Sequence, residues 1–307
     1  MRRSLRPDRL HSSRLLRRPC PGPPCGNSCR SGAGAPRGFT LVEVIVVLIL
    51  VGILAVVTTT IIVQPVEGFL DQSRRAELVD AGEGALQRMA RDVRRALPNS
   101  VRVEGNSLEM LNTRTGMRYR DGPGPPPVGG DPDRRLEFDR ADDAFNVMGP
   151  VAPQLEADDR LVIYHLGQSD ADAYAGDAVI TPDGTSLSVD PDPDVDDEYR
   201  ITLDPAHQFR LESPRQRLHV VDRAVAYRCD PDAEGGTLRR MAGYDFGSEL
   251  PDDFSGAALI SGHVTDCSFD YDPGTATRNA VVTLRLELSS DDERIRLVRQ
   301  VHVENAP

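Results

Sequence analysis

The chain has 307 residues, room for one sizeable domain or two small ones beyond any targeting segment. Its 36 basic residues, all arginine, face 48 acids, and 24 prolines and 26 glycines with 5% aromatics point to a loop-rich fold. Nine arginines and one acid, Asp8, lie in residues 1–38; downstream, 27 arginines face 47 acids, a surplus that repels phosphate backbones and excludes nucleic-acid binding.

The basic segment 1–38 carries Cys20, Cys25 and Cys29 as C-x4-C-x3-C among Pro and Gly. With no fourth ligand and no second cluster, this reads as composition rather than as a zinc site. From Leu41 to Val63 the chain is apolar except for Glu43, Gly52 and Thr58–Thr60. These twenty-three residues reach about 34 Å as a helix, enough for a hydrocarbon core of roughly 30 Å. Arginines precede the run and acids follow it, which places the N-terminus in the cytoplasm and the C-terminus across the membrane.

A secretory signal peptide has an apolar core of ~7–15 residues followed by a small-residue cleavage site. Here the run is longer, and the small residue, Gly38, comes before it. Glu43 sits near the start of the run. A charge at the centre of a membrane helix costs about 2.5–3.5 kcal/mol, but one near the end can reach the interface. A tolerated interfacial charge is therefore the plain reading of Glu43.

The string Gly38-Phe39-Thr40-Leu41-Val42-Glu43-Val44-Ile45, with its basic leader and unbroken apolar helix, resembles the prepilin signature of the type IV pilin-like and pseudopilin family. That resemblance implies cleavage by a prepilin peptidase between Gly38 and Phe39 and N-methylation of Phe39. It also implies pairing of Glu43 with the Phe39 amino group of a neighbouring subunit during assembly. Leaders in this family are commonly short, so a start codon nearer Gly38 is expected.

Pro65 is expected to end or kink the helix, since it has no N–H to donate. Beyond it, Phe69, Ala76, Val79, Leu86, Ala90, Val93 and Leu97 recur at helical spacing, with Arg74, Arg75, Arg88, Arg91, Arg94 and Arg95 on the polar side. Pro98 and Asn99 stop this helix. Gln64–Gly68, Arg74–Asp80 and Ala85–Val101 are also similar to minor pilin-like subunits of mannose-sensitive haemagglutinin (MSHA) pili.

After Val101 the pattern turns to short alternating runs. Strands are predicted at Leu161–Leu166, Gln208–Leu211, Leu218–Val221, Ala224–Tyr227, Val264–Tyr271, Val282–Leu288 and Ile295–Val303, with Ser289–Glu293 as a hairpin loop. The Pro/Gly-rich Asp121–Asp133 and the Asp/Pro-rich Ser169–Asp197 read as disordered or mobile insertions. The predicted class is α+β: a long pilin-type helix, half membrane and half amphipathic, packed on an antiparallel sheet. The expected division is a cleaved leader 1–38, a transmembrane helix 39–63, its amphipathic continuation 64–97, and a periplasmic β-rich domain 98–307.

Cys229 and Cys267 form either a disulfide, as suits an exported domain, or two buried thiols. A bond across their 38-residue separation adds on the order of 4 kcal/mol in the chain-entropy model. The acidic run Asp190–Glu198 invites calcium at Asp192, Asp194 and Asp196, since hard cations take carboxylate oxygens. It lacks the central glycine of an EF-hand loop, and a solvated loop is the commoner meaning of such a run. His165, His207, His219, His263 and His302 are scattered without metal spacing. Ser261-Gly262-His263 with Asp266 is too generic for a triad.

The expected function is assembly rather than catalysis, with no cofactor: a minor pilin-like subunit of the inner membrane that a prepilin peptidase processes. Its expected partners are other pilin or pseudopilin subunits and an inner-membrane assembly platform. The alternatives are a larger J-like minor pseudopilin of type II secretion, or an unprocessed, membrane-tethered periplasmic binding or enzymatic domain.

Overall fold

The computed structural model describes residues 38–122, 134–149, 154–275, 278–291 and 293–305, with the backbone alone for 60–67. The leader cysteines and residues 123–133 of the Pro/Gly-rich stretch lie outside the described residues. The chain divides into two compact units between Thr60 and Ile61.

Helix α1 runs from Leu41 to Arg94, 54 residues, and passes through Pro65 without a break. Of the two expectations for Pro65, an end or a kink, the end is corrected. An interior proline costs about 3 kcal/mol, and here the flanking sequence outweighs it. Upstream lies an unbroken apolar run, and downstream the helix is held by packing. From Leu78 onward Leu78, Gly82, Ala85, Leu86, Met89, Ala90 and Val93 are buried, at spacings of three and four. Leu86, Ala90, Val93 and Leu97 of the predicted face are buried as expected, whereas Phe69 and Ala76 are exposed. The helix ends at Arg94, Leu97 N–H then donates to the Leu111 carbonyl at 2.7 Å, and Asn99 takes φ 64°.

Eleven strands follow: β1 (Arg102–Glu104), β2 (Ser107–Tyr119), β3 (Asp142–Met148), β4 (Arg160–Val162), β5 (Ser186–Pro191), β6 (Glu198–His207), β7 (Arg217–Asp230), β8 (Gly236–Tyr244), β9 (Ala258–Asp272), β10 (Ala280–Ser290) and β11 (Glu293–Val303). All pairings are antiparallel, in the order β11-β10-β9-β8-β7-β2-β3-β6-β5, with β1 on β2 and β4 on β7. The predicted β10–β11 hairpin is present, in register from Ala280 opposite Val303 to Ser290 opposite Glu293. Its turn residue Asp291 adopts φ 53°, a conformation short polar side chains tolerate.

Four predicted elements differ. Leu161–Leu166 is strand only at its start, since β4 ends at Val162. Leu218–Val221 and Ala224–Tyr227 belong to one strand, β7, because the register skips Asp222 opposite Asn112–Thr113 and so breaks the alternation. Gln208–Leu211 is not strand: β6 ends at His207, and Phe209 is buried from a loop. The Ser169–Asp197 stretch is not a solvated insertion, since it supplies β5 and buries Ala171, Ala173, Tyr174, Val179 and Ile180.

The α1 face packs with inward residues of β2, β7, β8, β9, β10 and β11 in the larger core, among them Met110, Tyr227, Phe269, Leu284 and Leu286. Gly82 makes this close approach possible. A Cβ there would lie 2.5 Å from Leu297 Cδ1 and 3.0 Å from Leu288 Cδ1. A second core gathers Tyr119, Phe145, Leu161, Ile201, Phe209 and Val220 around β3, β4 and β6. The long strands β2 and β7 serve both cores. Across their register shifts, Met110 and Val225 face one core while Tyr119 and Val220 face the other.

Asp92 is the one carboxylate buried on the α1 face among the described residues. Tyr227 Oη and Arg240 Nε each donate to its Oδ2 at 2.7 Å. Burial, and then the Asp92 hydrogen bond and charge, push the Tyr227 hydroxyl pKa far up. This pairing sets which residues of α1 meet β7 and β8. Leu86, at 1% exposure, stands at the centre of the same seam. Leu86→Ala is expected to cost about 2–5 kcal/mol, read as a lower denaturant midpoint at unchanged slope.

Candidate functional site

The predicted processing segment lies at the start of α1. Thr40 precedes the helix, and its Oγ1 accepts the Glu43 backbone N–H at 3.3 Å. The Val44 N–H donates to the Thr40 carbonyl at 3.2 Å. Thr40-Leu41-Val42-Glu43 therefore places Thr at the N-cap and Glu at the third helical position, the spacing of a capping box. Glu43 also stands in the first turn, where a negative charge complements the helix dipole. The Thr-x-x-Glu spacing was available in the sequence as a helix-start signal, and it fixes the helix two residues after Phe39.

Gly38 and Phe39 precede this cap in non-helical conformation, and Phe39 is 79% exposed. A Cβ built on Gly38 meets nothing within 4 Å. Among the described residues no packing contact calls for glycine at 38. Side chains from Leu41 to Thr59 are exposed throughout, and Leu41–Thr59 is long and apolar enough to cross a membrane. Its polar end is self-satisfied: Thr58 Oγ1 donates to the Leu54 carbonyl at 2.7 Å and Thr59 Oγ1 to that of Ala55 at 2.9 Å. Such back-bonding leaves no hydroxyl proton unpaired in lipid.

Cys229 on β7 and Cys267 on β9 are joined, with Sγ atoms 2.05 Å apart, inside the larger core against α1. The chain between them makes a tight return at Gly236, where a Cβ would run into the Asp230 and Val264 carbonyls.

The acidic run is organised around arginine. Asp192 Oδ2 accepts Arg134 Nε at 2.8 Å and Asn146 Nδ2 at 2.7 Å. Arg134 Nη2 also donates to Asp194 Oδ2 at 2.7 Å. Asn146 Nδ2 reaches Glu198 Oε2 at 3.0 Å, and Arg120 Nε donates to the same oxygen at 3.0 Å. The calcium reading of Asp192, Asp194 and Asp196, the lesser of the two for this run, meets a guanidinium between the first two, while Asp196 is exposed. The three carboxylates do not converge, and no group of three or more His, Cys, Asp or Glu is arranged to hold a metal among the described residues. Arg120 and Arg134 flank the Pro/Gly-rich stretch. Its two stems are tied by Leu136 N–H to the Arg120 carbonyl at 2.8 Å.

The histidines are dispersed. Burial lowers the pKa of His165, whose Nδ1 accepts the Ala173 N–H at 3.1 Å. Burial, then Arg217, lowers His219 to about 4. Ser261 Oγ donates to the Gly262 carbonyl at 3.1 Å, so Ser261, His263 and Asp266 form no hydrogen-bonded relay.

Residues 35–59 match the family model for the prokaryotic N-terminal methylation motif. The match spans Gly38, Phe39 and Glu43 and supports a type IV pilin-like protein. It implies processing by a prepilin peptidase and assembly with other pilin subunits. No curated protein and no solved structure matches the chain.

Burial raises the Asp192 carboxyl, but hydrogen bonds from Arg134, Asn146 and the Asp194 N–H, with the Arg134 charge, outweigh it and hold the pKa well below the usual range. His219 and Asp192 both have folded pKa values below their unfolded ones, so the unfolded chain binds more protons and acid destabilises the fold. Stability is expected to decline from about pH 6.5 toward 4 as the unfolded His219 protonates, and again below about pH 4 through Asp192. Asp192→Asn should lower stability at pH 7 by on the order of 3 kcal/mol and flatten the lower limb, as followed by urea unfolding across pH.

Proposed function

We propose that this chain is a minor pilin-like subunit that works by assembly rather than catalysis. A prepilin peptidase cuts between Gly38 and Phe39, and Phe39 becomes the N-methylated terminus. The carrying observation is the methylation motif over 35–59, set on a capped helix start whose Gly38 and Phe39 are open to an enzyme. Leu41–Thr59 then holds the subunit in the inner membrane with the sheet domain in the periplasm, an oxidising compartment that suits the Cys229–Cys267 bond. In a filament, apolar side chains exchange lipid for protein, so packing and the pairing of Glu43 with a neighbour's Phe39 amine drive association.

The finer reading is a subunit similar to the MSHA pilus biogenesis protein MshO, supported by the likeness over roughly residues 38–103. A position at the tip or in initiation of the pilus belongs to this reading. The same processing motif and overall build suit a larger J-like pseudopilin of type II secretion, and neighbouring pilus or secretion genes separate the two.

N-terminal sequencing and intact mass of membrane-extracted protein, with and without co-expressed prepilin peptidase, test the processing step. The expected product begins at N-methyl-Phe39. Gly38→Val should block the cut without changing the circular dichroism spectrum, since the added side chain meets nothing in the fold. An uncut N-terminus in the wild type would instead establish a tethered domain.

Glu43→Gln separates the two roles of Glu43. Glutamine keeps the capping-box geometry but removes the charge, so the variant is expected to be cut normally and to fail to enter filaments. Fractionation of sheared filaments against membranes reads this out. Normal incorporation would overturn the pairing role of Glu43.

A further inference from the structure

From Leu78 onward the sheet covers the inner face of α1 and leaves the outer face exposed. The outer face has a seam of its own: Glu77, Asp80, Gly84, Arg88, Arg91 and Arg95, all exposed, at spacings of three and four. Charge along it is segregated, acid first and arginine last. A helix stabilises exposed charges by setting opposite signs three or four residues apart. The seam has two such neighbours, and both are engaged elsewhere. Arg74, three before Glu77, pairs with Asp71 and Asp291. Asp92, four after Arg88 and three before Arg95, is buried and held by Tyr227 and Arg240. Beside the seam, Glu83 answers Arg299 at 2.7 Å. None of the five charged seam side chains has an ion pair or hydrogen bond among the described residues.

Arginines in a last turn complement the helix dipole, which accounts for Arg91 and Arg94. It does not account for acids in mid-helix, or for Arg88, Arg91 and Arg95 repelling one another at spacings of three and four. Gly84 is likewise unexplained from within. Glycine weakens a helix interior, and a Cβ there would meet nothing within 4 Å. One shift relates the two halves of the seam. Eleven residues carry Glu77 to Arg88, Asp80 to Arg91 and Gly84 to Arg95. Eleven residues are about three turns, or about 16 Å. A second, parallel copy of the helix slid by that amount sets Arg88 and Arg91 opposite acids. It also lays Arg95 over Gly84, where no side chain stands in the way.

We propose that α1 pairs along this seam with α1 of a second copy of the chain, parallel and displaced by eleven residues. Glu77 and Asp80 of one copy meet Arg88 and Arg91 of the next. Copies inserted through the same N-terminal helix run in one direction, which sets aside the antiparallel match of Glu77 and Asp80 with Arg94 and Arg91. The contact is heterologous, so it propagates from copy to copy instead of closing as a dimer. Its displacement suits copies stacked along an axis, not copies held level in a membrane. In this it rests on the reading of the chain as an assembling subunit, but it does not depend on cleavage at Gly38.

Disulfide cross-linking of the full chain in detergent, where no bilayer holds copies level, tests it, with Cys20, Cys25 and Cys29 replaced by serine. Two differently tagged copies, one G84C and one R95C, are expected to give a mixed dimer, and a chain carrying both a ladder. R88E/R91E in the R95C copy should cut the mixed band by about tenfold, and E77R/D80R in the G84C copy should restore it. A band from G84C copies alone, the mark of a level or antiparallel pair, would overturn the proposal. So would the absence of a mixed band, or a band indifferent to charge reversal. Retention of the Cys229–Cys267 bond and an unchanged circular dichroism spectrum show that the variants fold. N-terminal sequencing of the same samples reports cleavage separately, so failure of the pairing is distinguishable from failure of the processing.

Discussion

Between Leu41 and Arg94 one helix passes from a stretch exposed on every side to one that buries a single face, and the rest of the chain is arranged around that change of solvent. The first part has no partner among the described residues, and its exposed apolar side chains suit lipid or other helices. The second part begins at Leu78, where the sheet supplies the partner. The transition is drawn by side-chain size as much as by polarity. Gly82, Ala85 and Ala90 let β10 and β11 come close, while Leu86 and Met89 fill the space so opened.

The helix and its start were legible because their signals are local. Apolar length, the basic leader and the Gly-Phe-Thr-Leu-Val-Glu string need no knowledge of the fold. The same holds for β9, β10 and β11, where alternation is regular and a short turn fixes the register. The packed face of α1 was legible only in its second half. Phe69 and Ala76 continue the apolar spacing, but Phe69 lies beyond the β10–β11 turn, which meets α1 near Arg75 through Glu293 at 3.4 Å, and Ala76 is exposed beside that contact. Periodicity shows where a face lies, not where its partner ends.

The remaining features depend on distant residues. Asp92 looks like one more polar helix residue until Tyr227 and Arg240, 135 and 148 positions away, are brought to it. The acidic run looks solvated until Arg134 and Arg120 are placed beside it. Here composition itself misled. With arginine as the sole cation and acids in surplus, a run of Asp and Pro reads as loop, yet Asp192 and Glu198 are buried as counter-charges. A buried guanidinium needs a partner, because removing one member of such a pair costs far more than the pair contributes.

The same charge balance separates the interior from the surface. Buried acids are each matched by an arginine, at Asp92–Arg240, Asp159–Arg114, Asp192–Arg134 and Glu198–Arg120. The surplus acid therefore resides on the outside, where it keeps copies apart.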